Sequence, residues 1–239
     1  MSPVSNPIRK NGDTRHNHHL SPEISESVKS EMSTETDQGQ SETLTGKAFG
    51  NLIVITGPSG VGKGTVVERV LTTVPSIKRS VSVTTREKRP KEIEGVDYFF
   101  RTPAEFQKMV DENAFMEWAE FAGNRYGTPL AWVEGQLAYG TDVILEIEVQ
   151  GAKQIRSLAP SAVLIFLSPP SFEALEQRLR NRGTESPEKV TLRLEKAKQE
   201  LTEKSLFQFE VVNDVVEEAV NNLSHIVYSE RCRIDRKRR

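Results

Sequence analysis

Two hydrophobic rhythms alternate along the middle of this chain. Apolar runs Leu52-Ile53-Val54-Ile55, Asp142–Val149 and Ala162–Leu167 are nearly continuous, which predicts parallel strands buried on both faces. Val81-Ser82-Val83 and Glu210–Asn213 predict shorter strands. Between them the apolar spacing changes to i, i+3, i+4, the helical period. Helices are predicted over Thr65–Thr73, from Ser171 through Arg180 with Gly183 closing it, and from Ser186-Pro187 with Val190, Leu194, Ala197 and Leu201 on one face. A last helix is expected near Val215–Val227. Thr102-Pro103-Ala104-Glu105 carries a full helix-start signal: a hydroxyl N-cap, proline at the first position, and a glutamate that completes a capping box. Phe106, Met109 and Val110 then form its apolar stripe.

The sum is an α/β domain, a parallel sheet sandwiched by helices, with a break in the alternation between residues 80 and 130. Composition bounds it on both sides. Residues 1–46 are rich in Ser, Thr, Glu, Asn and Gln and hold no Phe, Trp or Tyr. Such a segment buries too little apolar surface to offset its ordering entropy, so a disordered tail is expected. His16, His18 and His19 lie in it without other metal ligands nearby, as solvated side chains. Residues 231–239 carry six basic side chains and read as a charged tail. The domain proper spans about 47–230.

A net charge of −2 gives no global attraction to nucleic acid or membrane. A single cysteine, Cys232, excludes an internal disulfide framework and fits a reducing compartment. No apolar run reaches 18 residues, and the N-terminal stretch lacks the hydrophobic segment of a signal peptide. A cytoplasmic protein without a membrane span is expected.

The chemistry begins directly after the first strand, at Gly57-Pro58-Ser59-Gly60-Val61-Gly62-Lys63-Gly64-Thr65. Glycines let a loop curl so that successive N–H groups point inward at phosphate oxygens. The following helix turns the positive end of its dipole to the same anion. Lys63 is placed to reach the β- and γ-phosphates of a nucleoside triphosphate. The position after the lysine, where a Ser or Thr would meet Mg²⁺, is Gly64, and Thr65 follows one step later. Thr65 is therefore the candidate metal contact, directly or through water.

The break in the alternation holds a second anion-binding pattern. Arg86 and Arg89 are spaced to fork onto one phosphate, and Tyr98 and Tyr126 offer two hydroxyls. One site for a triphosphate and one for a monophosphate together describe phosphoryl transfer between nucleotides.

At this level of detail, residues from about 49 to 229 resemble the guanylate kinase family. The resemblance rests on Gly57–Thr65, Ser82–Arg86, Arg89-Pro90, Gly95-Val96-Asp97-Tyr98, Phe115-Met116-Glu117-Trp118-Ala119, Gly123–Thr128, Val149-Gln150-Gly151 and Arg182-Gly183-Thr184-Glu185. It implies a P-loop core sheet, an inserted GMP-binding region over about 82–128, a lid over about 180–200, and transfer of the γ-phosphoryl group of ATP to GMP with Mg²⁺. It also implies acceptance of dGMP. Glu117 stands where the family recognises guanine. A carboxylate there accepts both N1–H and the 2-amino group, and such a site rejects AMP because buried polar groups would be left unpaired. Ser82 and Thr128 fall at positions that contact the base O6. Arg86, Arg89, Tyr98 and Tyr126 match the residues that hold the GMP phosphate. Glu146 and Glu148 stand where the family usually carries aspartates, and Glu148 matches the carboxylate that contacts GMP. Lys63, Arg182 and Arg193 match the cations that meet the transferring phosphoryl group, and Asn213 with Asp214 matches a turn near adenine. Arg178 and Arg180 read as surface charges. No specific nucleic-acid partner is implied.

Two alternatives stay open at this stage. Guanylate-kinase-like domains also act as scaffolds for phosphorylated proteins, typically after losing the loop lysine or the phosphate-binding arginines. Gly64-Thr65 also occurs in adenylate-kinase-like enzymes, whose acceptor is AMP.

Overall fold

The structure, a computed structural model, describes residues 49–181 and 186–233. The expected N-terminal tail (1–46), Arg182, the helix stop at Gly183, and residues 234–239 of the basic segment lie outside the described residues.

Strand β1 (Leu52–Thr56) is fully buried. It is followed by helix α1 (Lys63–Thr73), strand β2 (Ile77–Arg79), strand β3 (Val83–Thr84) and strand β4 (Phe99–Phe100). Then come α2 (Pro103–Asp111), β5 (Phe115–Phe121), β6 (Asn124–Pro129) and α3 (Leu130–Ala138). The remaining elements are β7 (Asp142–Glu146), α4 (Val149–Leu158), β8 (Val163–Ser168), α5 (Phe172–Asn181), α6 (Pro187–Thr202), β9 (Phe209–Val212) and α7 (Val216–Arg231).

Five strands form one sheet in the order β2-β7-β1-β8-β9, and each pairing is parallel. Side-chain alternation along β1 sends Ile53 and Ile55 to one face, packed with Val66, Val70, Leu175 and Leu223. Leu52 and Val54 go to the other face, with Val133, Ala152 and Ile155. Both faces are covered, which is why the central strands β1 and β8 lack a polar alternate.

The break in the alternation is a second sheet in the order β4-β3-β6-β5. There β3 pairs with β6, and β6 with β5, antiparallel. The capping box expected at Thr102 forms: Thr102 N donates to Glu105 Oε2 at 2.7 Å, and Glu105 N donates to Thr102 Oγ1 at 3.3 Å.

Three boundaries differ from the sequence reading. The strand expected at 81–83 coincides with β3 only at Val83, and the unexpected β2 precedes it across a buried Ser80, whose N–H donates to Ile144 O at 2.9 Å. Strand β7 ends at Glu146, and Glu148 heads α4 as its N-cap residue. On α6 the buried face runs through Val190, Leu194, Ala197 and Glu200, so Glu200 takes the place expected of Leu201.

Candidate functional site

The loop between β1 and α1 takes its shape from glycine. Gly60 and Gly62 have φ of 90° and 96°, a region disfavoured for residues with a Cβ. A Cβ at Gly62 would also stand 2.7 Å from Asn213 Nδ2. That amide donates to Val61 O at 2.7 Å, so Asn213, 3% exposed, pins the loop from the end of β9. Lys63 Nζ donates to Gly57 O at 2.5 Å, which folds the lysine back across the loop mouth.

A cavity of about 300 Å³ opens beside the loop, lined by Gly60, Val61, Gly62, Thr65, Arg178, Asn213, Asp214 and Val216. Arg178, read from sequence as a surface charge, is part of it. Its guanidinium donates to Asn213 O at 2.8 Å and to Asp214 O at 3.4 Å. The pairing spans 35 residues and leaves no local trace in the sequence.

A second cleft of about 330 Å³ lies between the two sheets. It gathers Lys63, Ser82, Arg86, Arg89, Tyr98, Glu117, Tyr126 and Glu148, the residues singled out for the loop cation and the monophosphate site. Thr128 is fully buried behind it, and its hydroxyl donates to Glu117 Oε1 at 2.7 Å. The cleft-facing group is thus Glu117, with Thr128 fixing it. On its other side Glu117 Oε2 abuts Gly151 so closely that any Cβ there would collide with it. Burial pushes the Glu117 carboxyl up to about 7, against the opposing pull of the Thr128 hydrogen bond.

The two arginines are already organised around an acid. Arg86 Nη2 reaches Glu92 Oε1 at 2.6 Å, and Arg89 Nη1 lies 3.8 Å from the same oxygen. The Arg86 guanidinium also stacks 5.4 Å from the Tyr98 ring centroid. Glu92, which the sequence did not single out, holds the pair together.

At the loop end of the cleft stand Glu146 and Glu148. Burial raises Glu146 against the pull of Lys63 and Arg79. Burial also opposes ionisation of Glu148, but Lys63 and Lys196 outweigh it and hold that carboxyl below its ordinary range. Lys196 and Phe121 complete this end, and both escaped the sequence reading. Arg193 is half-buried on α6 and lines neither cavity. Arg182 lies outside the described residues.

Lineage agrees with geometry. A family model described as guanylate kinase matches residues 49–230. A guanylate kinase of Desulfitobacterium hafniense is 49% identical over 188 residues, which covers 79% of this chain and 94% of the relative. One from Streptococcus agalactiae is 50% identical over 189 residues, covering 78% and 90%. The crystal structure of guanylate kinase from Anaplasma phagocytophilum superposes with a TM-score of 0.68 at 32% identity, covering 80% of this chain and 90% of that one. The chain belongs to the guanylate kinase family.

Proposed function

We infer that the protein transfers the γ-phosphoryl group of ATP to GMP, giving ADP and GDP. The reading rests chiefly on one observation: a buried carboxylate, Glu117, shares a single cleft with Lys63 and with the paired Arg86 and Arg89. A guanine edge offers two donors to that carboxylate, and a monophosphate gives the arginines an anion in place of Glu92. The cleft then ends at Lys63, where the donor phosphate would lie.

Each side chain has a definable task. Loop amides from Gly57 to Gly62 and the α1 N-terminus take the β- and γ-phosphates of ATP. Asn213 and Arg178 shape the neighbouring cavity for the rest of that nucleotide. Arg86, Arg89, Tyr98 and Tyr126 orient the acceptor phosphate, and Ser82 contacts the base. That phosphate is ionised at neutral pH, so no general base is required. Catalysis consists of alignment and positive charge on a loose transition state. Lys63 supplies charge from the loop. Arg182 and Arg193 supply it from the lid region when that region closes on both nucleotides, which also excludes water.

The donor set suits Mg²⁺. Thr65 sits on the first turn of α1, and Glu146 Oε1 lies 3.9 Å from where a Cβ on Gly64 would stand. Both are hard oxygen ligands. Among the described residues no cluster of three or more acidic, His or Cys ligands gathers, so phosphate and water oxygens would complete the shell, as is usual for this ion. Held by these residues, Mg²⁺ would supply positive charge to the donor phosphates.

A guanylate-kinase-like scaffold is disfavoured because the loop lysine and both phosphate-facing arginines are in place. Among the described residues no helix is long and apolar enough to cross a membrane, in keeping with work in the cytoplasm. A coupled ADP-release assay with ATP, Mg²⁺ and each of GMP, dGMP, AMP, UMP and CMP tests the assignment. Turnover with GMP and dGMP alone is the expected result. Turnover with AMP would move the acceptor, and binding without turnover would move the function to a scaffold.

A further inference from the structure

The ammonium of Lys196 joins three parts of the molecule. It lies 3.1 Å from Glu148 Oε2 and 3.3 Å from Glu200 Oε1, and 3.3 Å from the centroid of the Phe121 ring. Glu148 and Phe121 both line the cleft assigned to GMP, whereas Lys196 and Glu200 belong to α6.

This arrangement answers a problem that the cleft poses. Glu148 occupies the N-cap position of α4, yet its side chain makes no capping hydrogen bond. Its own helix therefore does not fix where the carboxylate points, and a free glutamate has three torsions to lose. Lys196 supplies a constraint from α6. The same cation presses on the face of Phe121, the last residue of β5, so the cleft wall and the carboxylate are set by one group. Glu200 adds a second carboxylate, 8% exposed on its side chain, whose Oε2 has no hydrogen-bond partner. With Lys196 removed, Glu148 would keep only the Glu200 carboxyl and Lys63 as polar neighbours, and its head group would be free to swing toward Lys63 or solvent.

We propose that Lys196 is a positioning residue for the GMP half of the cleft, acting through Glu148 and Phe121. The proposal rests on the assignment of this cleft to GMP.

Steady-state kinetics of the full chain, with ATP and GMP varied in turn, tests it. Lys196→Met keeps the aliphatic stem and removes the charge. The expected result is a KM for GMP about tenfold higher, the loss of one charge-assisted contact. The kcat and the KM for ATP should stay within about twofold. Lys196→Arg, which still reaches a carboxylate and still stacks on a ring, should recover most of the GMP affinity. In a Glu148→Gln background, Lys196→Met should add clearly less than its own tenfold increase, because the route through Glu148 is already gone and only the contact with Phe121 remains. A merely structural lysine would instead lower the melting temperature of Lys196→Met and leave the KM for GMP unchanged. That result overturns the proposal, as would effects that multiply in the double variant. If Lys196→Met does not fold, an unchanged KM for GMP in Lys196→Gln overturns it equally. A wild-type enzyme inactive on GMP overturns the parent assignment and this proposal together; an active one with these null results overturns this proposal alone.

Discussion

Thr128 donates its hydroxyl to Glu117 across 2.7 Å, with both residues buried. One hydroxyl does not compensate a carboxylate for the loss of water, and the carboxyl rises from an ordinary 4.5 to about 7. The folded state therefore binds more protons than the unfolded chain between those two values. Stability contributed by this group is full below about 4.5 and falls as pH rises to about 7, by about 3 kcal/mol in all. Glu117→Gln keeps the acceptor for Thr128 and carries no charge. It should melt higher than wild type at pH 8, and the difference should vanish near pH 4.5. The same variant should lose about a hundredfold or more in kcat/KM for GMP, since its amide meets the guanine donors with a donor. An unchanged melting temperature at pH 8 would mean that Glu117 is not held at this cost.

Binding inherits the same titration. Only ionised Glu117 accepts both guanine donors, so the KM for GMP should rise about fourfold between pH 8 and pH 6.5. The KM for ATP, whose contacts do not include Glu117, should stay flat over that interval. Parallel rises for both nucleotides would assign the effect elsewhere.

The sequence exposed those parts of the site that a single segment builds. A strand, three glycines and a lysine lie within Leu52–Lys63, and the loop they form is where the spacing put it. The capping box at Thr102 and Glu105 is equally local. What stayed hidden depends on pairings distant in the chain. Arg178 meets Asn213 across 35 residues, and Lys196 meets Glu148 across 48. In sequence, each of these is one more cation on an amphipathic helix. Glu148 looked like a strand residue because apolar neighbours surround it; the chain instead leaves the sheet after Glu146, the last β7 residue paired with β1, and turns into α4. Strand β2 was missed because Lys78 and Arg79 break the apolar run, and only pairing with β7 reveals it.

Lys63→Ala separates activity from stability. The ammonium bridges the loop to Gly57 O and lines the cleft, but it packs against no part of the hydrophobic core. Loss of one preorganised charge at the transferring phosphoryl group should cost about a hundredfold to a thousandfold in kcat. The melting temperature should move by only a few degrees. Wild-type turnover by this variant would refute the loop assignment.

Gly64→Ser tests whether the glycine after Lys63 is required for space. A Cβ there would meet nothing closer than Glu146 Oε1 at 3.9 Å, an ordinary contact. Gly64 is also the second residue of α1, where glycine costs helix stability. The serine variant should be more stable by about 0.5–1 kcal/mol. Its hydroxyl would lie beside Glu146, so half-saturation by Mg²⁺ in the kinase assay should shift to lower concentration. Unfolding or inactivity would show that a closer approach requires glycine here.

Arg231, grouped from sequence with the basic tail, is the last residue of α7 and anchors it to the central sheet. Its Nε donates to Asp142 Oδ2 at 2.7 Å, while Asn51 N donates to Oδ1 at 2.6 Å. Asp142 is 2% exposed, so removing the cation leaves a buried carboxylate with much of its compensation gone. Arg231→Met should cost about 3 kcal/mol and lower the melting temperature by about 10 °C. Asp142 opens β7 and Glu146 closes it, which puts the anchor about 13 Å along the strand from the cleft. The KM values for ATP and GMP should therefore remain at wild-type levels at 25 °C. A stability loss confined to a few tenths of a kcal/mol would show that solvent already screens the pair, despite the burial of its acid.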